Sequence, residues 1–164
     1  MKILQISSVR KILQHKKELE EKLNVKVIVK GTQLTISGKE IDEHFAERVF
    51  IALDFPFLLE DALLLASEDY LFEVLDIKDY THRKNLNIIK ARLIGTKGKT
   101  LKVLSDLSNC EVVVKENNVA IIGKADEIHR SEQAVISLIQ GSKQGNVYSF
   151  LEKANKRKRE DSFH

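Results

Sequence analysis

The sequence predicts an α+β protein built from two similar repeats, each with the order β-α-α-β-β-α, that pack together. Two observations lead to this fold class. Residues 24–39 and 109–124 share seven identities in sixteen positions, at a constant spacing of 85 and without a gap. Each segment also contains two short β-branched runs around a turn, followed by a helical pattern. The agreement extends through both strands and the turn, so it indicates a duplication and not a similarity of composition.

The first repeat is predicted to occupy residues 1–67. Its expected elements are a strand at 2–6, a helical segment at 8–23, strands at 25–29 and 34–37, and a helix after Gly38. The runs of valine and isoleucine favour strands, and apolar residues that recur every three or four positions favour the closing helix. Gly38 is expected to end the second strand of the hairpin before that helix begins.

The second repeat is predicted to occupy residues 68–153. Its expected elements are a strand at 70–77, helices at 86–94 and 99–108, strands at 110–114 and 119–122, and a helix from Gly123 to about Gly141. Gly123 is expected to break the last strand, as Gly38 does in the first repeat. Cys110 opens a strand and is expected to be a small buried hydrophobic residue.

Two further segments lie outside the repeat pattern. Residues 56–66 are very apolar and predict a short connecting helix, opened by Asp54 or Pro56, that packs between the repeats. Residues 154–164 include four consecutive cations at 156–159 and predict a frayed, solvated basic tail.

The composition argues against several classes of protein. With 164 residues, 43% of them hydrophobic and 31% charged, the chain has a folded, globular composition. Its single cysteine argues against a disulfide framework or a cysteine-rich zinc site, and the histidines show no metal-ligand spacing. No segment is apolar enough to span a bilayer and no signal peptide is visible, so we expect a cytoplasmic protein. We expect no cofactor and no catalysis, because no pair of nucleophile and base is apparent.

Charge is distributed unevenly along the chain. Residues 1–82 carry a net charge of −4, whereas residues 83–164 carry +7. The window 83–102 contains seven cations and no acidic residue: Arg83, Lys84, Lys90, Arg92, Lys97, Lys99 and Lys102. This imbalance indicates a polyanion partner for the second half, although a solvated basic helix face is the alternative explanation.

A short glycine motif lies inside this basic window. Gly95-Thr96-Lys97-Gly98 is preceded by Ile94, has Leu101 three residues after it, and is flanked by predicted helices. A hairpin and a further helix follow. In this context the motif resembles the GxxG loop of the KH (heterogeneous-nuclear-ribonucleoprotein K homology) domain in its type I order.

The resemblance implies that this loop binds single-stranded RNA. A KH loop clamps the backbone of about four nucleotides while the bases lie in an adjacent groove. The residues implied for RNA binding are Lys90, Arg92, Ile94, Gly95, Thr96, Lys97, Gly98, Lys99, Leu101 and Lys102. The implied groove is lined by Ile94, Leu101, Leu104, Val112 and Val114, although Leu104 and Val112 could equally belong to the core. Lys90 and Arg92 either border the groove or belong to a solvated helix face.

The first repeat departs from the KH pattern. No glycine occurs before Gly31, and the region that would match the loop, near residues 14–17, is followed by Glu18, Glu20 and Glu21. The first repeat therefore resembles a degenerate KH domain, used for packing or protein contact.

The combination of a degenerate and an intact KH repeat is more specific than either alone. Together with residues 60–65, 69–70, 76–80 and 141–153, it resembles the archaeal ribosome-assembly KH family. Eukaryotic relatives of that family are the partner of the Nob endonuclease and the partner of the ribosomal-RNA dimethylase. The resemblance implies binding near the 3′ end of small-subunit (16S) ribosomal RNA, and contacts with a Nob-type endonuclease and the alpha subunit of initiation factor two.

The sequence leaves three other functions to consider. Gly98-Lys99-Thr100 imitates the end of an NTPase phosphate loop, but that loop needs a glycine where Leu93 stands and a strand where a helix is predicted. A protein-interaction module would use the acidic first repeat as its main surface. A KH protein that binds messenger RNA would share the loop but have a different target.

Overall fold

The chain forms two compact units, Met1–Phe72 and Glu73–His164, and the computed structural model describes residues 1–162. Each unit contains one three-stranded sheet in which the last strand of the repeat lies in the middle. The element order confirms two β-α-α-β-β-α repeats. Phe163 and His164, the last two residues of the predicted basic tail, lie outside the described residues.

The first unit follows the predicted order with shorter elements. Its elements are β1 (Lys2–Gln5), α1 (Arg10–Gln14), α2 (Lys16–Leu23), β2 (Lys26–Lys30), β3 (Gln33–Ser37), α3 (Glu40–Leu53) and α4 (Leu59–Ala62), then a 3-10 turn (Leu63–Ala66). The helical segment predicted at 8–23 is divided at His15, whose φ of −119° lies outside the helical range. Strand β3 pairs with β1 and β2 in antiparallel register and buries Leu34 and Ile36 completely.

The connecting segment is helical over a shorter range than predicted, because α4 begins at Leu59 and not at residue 56. The carbonyls of Phe55 and Phe57 accept hydrogen bonds from Lys11 Nζ at 3.0 and 2.7 Å, which holds this stretch in a non-helical course. Arg48 of α3 donates to the carbonyl of Leu65 at 3.1 Å. The apolar segment is thereby fastened to α3 within the first unit.

The second unit contains the two longest helices of the described residues, α7 and α8. Its elements are β4 (Tyr70–Asp76, which begins before the boundary), α5 (Leu86–Ile94), α6 (Lys99–Ser108), β5 (Glu111–Lys115), β6 (Asn118–Lys124), α7 (Ala125–Ile139) and α8 (Gln144–Asp161), with 3-10 turns at Ile77–Tyr80 and Thr96–Gly98. One buried cluster joins its helices and sheet: Ile89 and Leu93 of α5, Leu104 of α6, Val112 of β5, Ile121 of β6, Leu138 of α7 and Leu151 of α8 are among its members.

Equivalent residues play equivalent roles in the two repeats. Asn24 and Asn109 follow α2 and α6, and both adopt a left-handed conformation with φ of 55°. A Cβ on Gly38 would lie 3.2 Å from Val25 Cγ1, and a Cβ on Gly123 would lie 2.4 Å from Cys110 Sγ. Strand β6 continues through Gly123 to Lys124, so Gly123 does not end the strand as predicted. The position needs glycine because Cys110 approaches its backbone closely. Cys110 is buried, as predicted.

The C-terminal cations do not form a frayed tail within the described residues, because α8 continues to Asp161. Val147 and Leu151 bury one side of this helix. Further along, Asn155 Nδ2 donates to the carbonyl of Leu107 at 2.8 Å, and Lys158 pairs with Asp126 at 3.0 Å and with Glu127. These contacts continue the packing of α8 past residue 153, where the apolar pattern of the sequence fades.

Candidate nucleic-acid interface

The glycine loop forms a sharp turn between α5 and α6. Gly95, Lys97 and Gly98 all have positive φ values, of 75°, 55° and 74°. The N–H of Gly98 donates to the carbonyl of Gly95 at 3.2 Å and closes the turn. Helix α6 begins at the next residue, Lys99, so the loop leads directly into a helix N-terminus.

The two glycines serve different purposes. A Cβ on Gly95 would lie 2.3 Å from Thr100 Oγ1 and 2.7 Å from the backbone nitrogen of Thr100, so only glycine fits against α6 at this position. A Cβ on Gly98 would meet nothing within 4 Å. Gly95 is therefore required by packing inside the domain, whereas Gly98 leaves open space on the surface of the loop.

The loop and the start of α6 form a positively charged surface. Thr96 and Lys97 are exposed at the loop, and Lys99 and Lys102 are exposed in the first turn of α6. The first backbone N–H groups of a helix have no partner within it, and the helix dipole adds partial positive charge there. A phosphate at this point would meet N–H donors, a hydroxyl and ammonium groups together.

Arg92 of α5 is held by two backbone carbonyls of the second unit. Its guanidinium donates to the carbonyl of Leu138 at 3.3 Å and to the carbonyl of Ser142 at 2.8 Å. These carbonyls lie at the end of α7 and just beyond it, so Arg92 ties α5 to the last helix of the repeat. Lys90, on the same helix, is partly buried.

The predicted groove residues separate into two groups. Leu104 and Val112 are 1% and 4% exposed and belong to the core, which decides between the two roles that the sequence left open for them. Ile94, Leu101 and Val114 are partly exposed, and the last two also pack against the core cluster. Of the five predicted groove residues, these three therefore keep some apolar surface exposed.

The first repeat has one residue in place of this loop. His15 alone separates α1 from α2, and its ring lies 3.8 Å from the carboxylate of Glu18. Lys22 pairs with Glu18 at 2.8 Å. Because the joint is short and acidic residues follow it, this end of the first unit offers no equivalent of the glycine turn.

Two residues beside the loop were not predicted from the sequence. Thr100 is 5% exposed and lies against Gly95, and Gln144 Nε2 donates to Thr100 Oγ1 at 3.1 Å. Gln144 lies 44 positions further along the chain. No local pattern could have revealed this pair, because only the tertiary fold brings the two residues together.

The described residues, 1–162, offer neither a metal-binding cluster nor a membrane-spanning helix. In this part of the chain, no group of three or more histidine, cysteine, aspartate or glutamate side chains is arranged to hold a metal ion. The same residues include no helix with the length and apolar character needed to cross a membrane.

Comparison with known proteins identifies several relatives. The chain is 34% identical over 146 residues to the KH domain-containing protein MJ0443 of Methanocaldococcus jannaschii, covering 84% of this chain and 64% of that protein. It is 27% identical over 158 residues to the pre-rRNA-processing protein pno1 of Emericella nidulans, covering 91% of this chain and 59% of that protein. The chain thus spans less than two thirds of the length of either relative.

A solved structure shares the fold across both units. A chain in the crystal structure of the a/eIF2alpha-aDim2p-rRNA complex from Pyrococcus horikoshii matches with a TM-score of 0.84 at 27% identity, covering 95% of this chain and 94% of that chain. The family model for the second KH domain of PNO1, described as a eukaryotic type KH-domain (KH-domain type I), matches residues 71–156. This chain therefore belongs to the PNO1 family of type I KH-domain proteins.

Proposed function

We propose that the second unit binds single-stranded RNA at the loop of residues 95–98 and that the protein acts by binding, without catalysis. The observation that carries this proposal is the open surface at Gly98, which leads into the N-terminus of α6. A sugar-phosphate backbone can approach a residue without a side chain closely. Lys97 and Lys99 then supply charge on either side of the contact.

A single strand fits this surface better than a duplex. The partly exposed side chains of Ile94, Leu101 and Val114 are apolar and suit the faces of unpaired bases. A duplex would keep its bases stacked within the helix. We propose that the loop holds the phosphates and that these three residues contact the bases, together with the exposed Lys102.

We further propose that the RNA is small-subunit ribosomal RNA, bound near its 3′ end during maturation. The family supports ribosomal RNA as the target, because the Emericella nidulans relative is a pre-rRNA-processing protein and the Pyrococcus horikoshii structure is an rRNA complex. The small subunit and its 3′ end are proposed from the resemblance alone. The same complex supports the alpha subunit of initiation factor two as a partner. A Nob-type endonuclease is proposed from the resemblance alone. Crosslinking in cells followed by sequencing of the bound RNA would test the target, and a predominance of messenger RNA would contradict it.

The loop itself is tested by replacing Thr96 and Lys97 together with aspartate. Aspartate tolerates the left-handed backbone of Lys97 better than most residues, and both side chains are exposed, so stability should change by no more than about 0.5 kcal/mol. The change removes a charge-assisted hydrogen bond, worth about 1.5–3 kcal/mol, and adds repulsion. Affinity for a single-stranded 16S 3′-end oligonucleotide should fall at least about a hundredfold in a filter-binding assay.

The matched control places the same charges in the first repeat. His15→Asp and Lys16→Asp change the joint between α1 and α2, where there is no glycine turn. This pair should weaken RNA binding far less. Full binding after the change at Thr96 and Lys97, with loss of binding after the change at His15 and Lys16, would refute the proposed site.

A further inference from the structure

Gln144, the first residue of α8, connects the C-terminal helix to the glycine loop. Its side-chain amide donates to Thr100 Oγ1 at 3.1 Å and to the backbone carbonyl of Arg92 at 3.5 Å. The Arg92 carbonyl lies in the last turn of α5, where carbonyls have no partner further along the helix. One side chain of α8 thus contacts both helices that flank the loop.

Arg92 completes this connection in the opposite direction. Its guanidinium donates to the carbonyls of Leu138 and Ser142. Gly141, with a φ of 101°, turns the chain between α7 and α8. Ser142 lies just after this turn and two residues before Gln144. Arg92 and the segment 142–144 therefore exchange hydrogen bonds, one in each direction.

Thr100, which accepts the hydrogen bond from Gln144, lies against the loop. Thr100 Oγ1 accepts from Gln144 and lies 2.3 Å from the position that a Cβ on Gly95 would take. If Thr100 turned away, the packing that fixes Gly95 would be lost. Gly95 in turn accepts the hydrogen bond from the Gly98 N–H that closes the turn. The side chain of Gln144 is thus linked to the turn through two contacts.

The first repeat shows which part of this arrangement belongs to the fold in general. Lys11 of α1 donates to the carbonyls of Phe55 and Phe57, just after the last helix of its repeat, as Arg92 of α5 does for α7. The first repeat has this contact between a cation and backbone carbonyls although it has no glycine loop. The cation therefore ties the first and last helices of either repeat, and its presence in the second repeat needs no RNA to explain it.

We propose that Gln144 and Arg92 are positioning residues for the RNA site, so that α8 sets the shape of the glycine loop without touching RNA. This inference rests on the proposed function of the loop. It assigns the basic side chain of Arg92 to protein carbonyls and not to phosphate. It also makes the N-terminus of α8 part of the structure that supports the RNA site.

The first test replaces Gln144 with alanine in the full chain, with Gln133→Ala on the exposed side of α7 as the matched control. Gln144→Ala removes both neutral hydrogen bonds of this side chain and should weaken binding of the 3′-end oligonucleotide about three- to tenfold. Amide hydrogen exchange without RNA should show faster exchange at Gly98. Gln133→Ala should change neither measurement.

The second test uses the salt dependence of binding to separate positioning from phosphate contact. Each phosphate contact to a single strand contributes about 0.7 to the slope of log affinity against log salt concentration. Arg92→Gln should weaken binding about tenfold or less and leave the slope unchanged, and Arg92→Lys should restore part of the affinity. A slope reduced by about 0.7 after Arg92→Gln would show direct contact with phosphate and overturn this assignment.

These measurements distinguish this inference from the proposed function. If the unmodified protein fails to bind the oligonucleotide, the proposed function fails, while hydrogen exchange at Gly98 still tests the link from Gln144. If the unmodified protein binds RNA and Gln144→Ala alters neither affinity nor Gly98 exchange, the positioning role is wrong and the RNA site stands.

Discussion

At the scale of single residues, the two glycines of the loop illustrate how one motif combines two requirements. Gly95→Ala should lower the free energy of unfolding by about 2–3 kcal/mol, because the new Cβ would overlap Thr100 in addition to the strain of a positive φ. Gly98→Ala has the strain without the overlap and should lower it by about 1–2 kcal/mol. Urea unfolding measures both. Equal losses at the two positions would contradict the packing of Thr100 on Gly95.

Cys110 gives a prediction for alkaline pH. Burial, reinforced by the negative charge of Glu127, raises the pKa of its thiol to about 11. In the unfolded chain the thiol ionises near its ordinary pKa, so between about pH 9 and 11 the unfolded state loses a proton that the folded state keeps. Stability should therefore fall as the pH rises through this window.

The size of this effect is isolated by comparison with Cys110→Ala. The wild-type protein should lose about 2 kcal/mol more than the variant between pH 9 and 11, measured as the difference in urea unfolding at each pH. The alanine variant starts from a lower stability because of the small cavity it leaves. Parallel pH profiles for the two proteins would show that the thiol ionises as readily in the folded state as in the unfolded state, and would contradict this prediction.

Features formed by neighbouring residues can be predicted from the sequence, whereas contacts made through the tertiary fold cannot. The turn at 95–98 is predictable because its glycines, cations and neighbouring apolar residues lie together in the chain. Arg92 resembled its cationic neighbours in sequence, but its acceptors are 46 and 50 residues away, so its role depends on the tertiary fold. Leu104 and Val112 left two roles open because an apolar residue in a core and one in a groove follow the same periodicity.

At the scale of elements, α8 is held on α7 by the pairing of Lys158 with Asp126 and Glu127. Lys158→Met should destabilise the protein by about 1 kcal/mol, because it leaves the mostly buried Glu127 without its cation. Arg157→Met, at the adjacent exposed position of the same helix, is the control and should change stability by less than about 0.5 kcal/mol. Thermal unfolding at neutral pH measures the difference.

The pairing also has a definite dependence on acid. The hydrogen bond from Lys158 lowers the pKa of Asp126, so the stabilisation is present at neutral pH and is lost as the pH falls below the usual range of an aspartate. The gap between wild-type protein and Lys158→Met should therefore shrink as the solution is acidified. A gap that stays constant down to acidic pH would show that the effect of the lysine is packing and not charge.

The elements themselves were predictable to different degrees. The β-α-α-β-β-α order followed from periodicity and from the duplication, because both signals are local. The extension of α8 to Asp161 did not, because beyond Leu151 its sequence is mostly charged and its contacts are made by Asn155 and Lys158. Similarly, the start of α4 at Leu59 depends on Lys11, more than forty residues earlier, which occupies the carbonyls of Phe55 and Phe57.

At the scale of the whole molecule, the uneven charge of the chain should determine how RNA binding responds to salt. The half with the glycine loop has a net charge of +7, and the half without it has −4. If one loop contacts about four phosphates of a single strand, log affinity should fall with log salt at a slope of about −3. The acidic half should add nothing to that slope.

Two pairs of neutralising substitutions in the full chain test this division. Lys97→Gln with Lys99→Gln removes two cations at the loop and should reduce the slope by about 1.4, to roughly half its value. Lys16→Gln with Lys17→Gln removes the same charge from α2 and should leave the slope unchanged. The net charge of the protein falls equally in both variants, so a general attraction between a basic protein and RNA would reduce both slopes alike. That result would mean that RNA is held by the overall charge of the protein, and it would refute the glycine loop as the RNA-binding site.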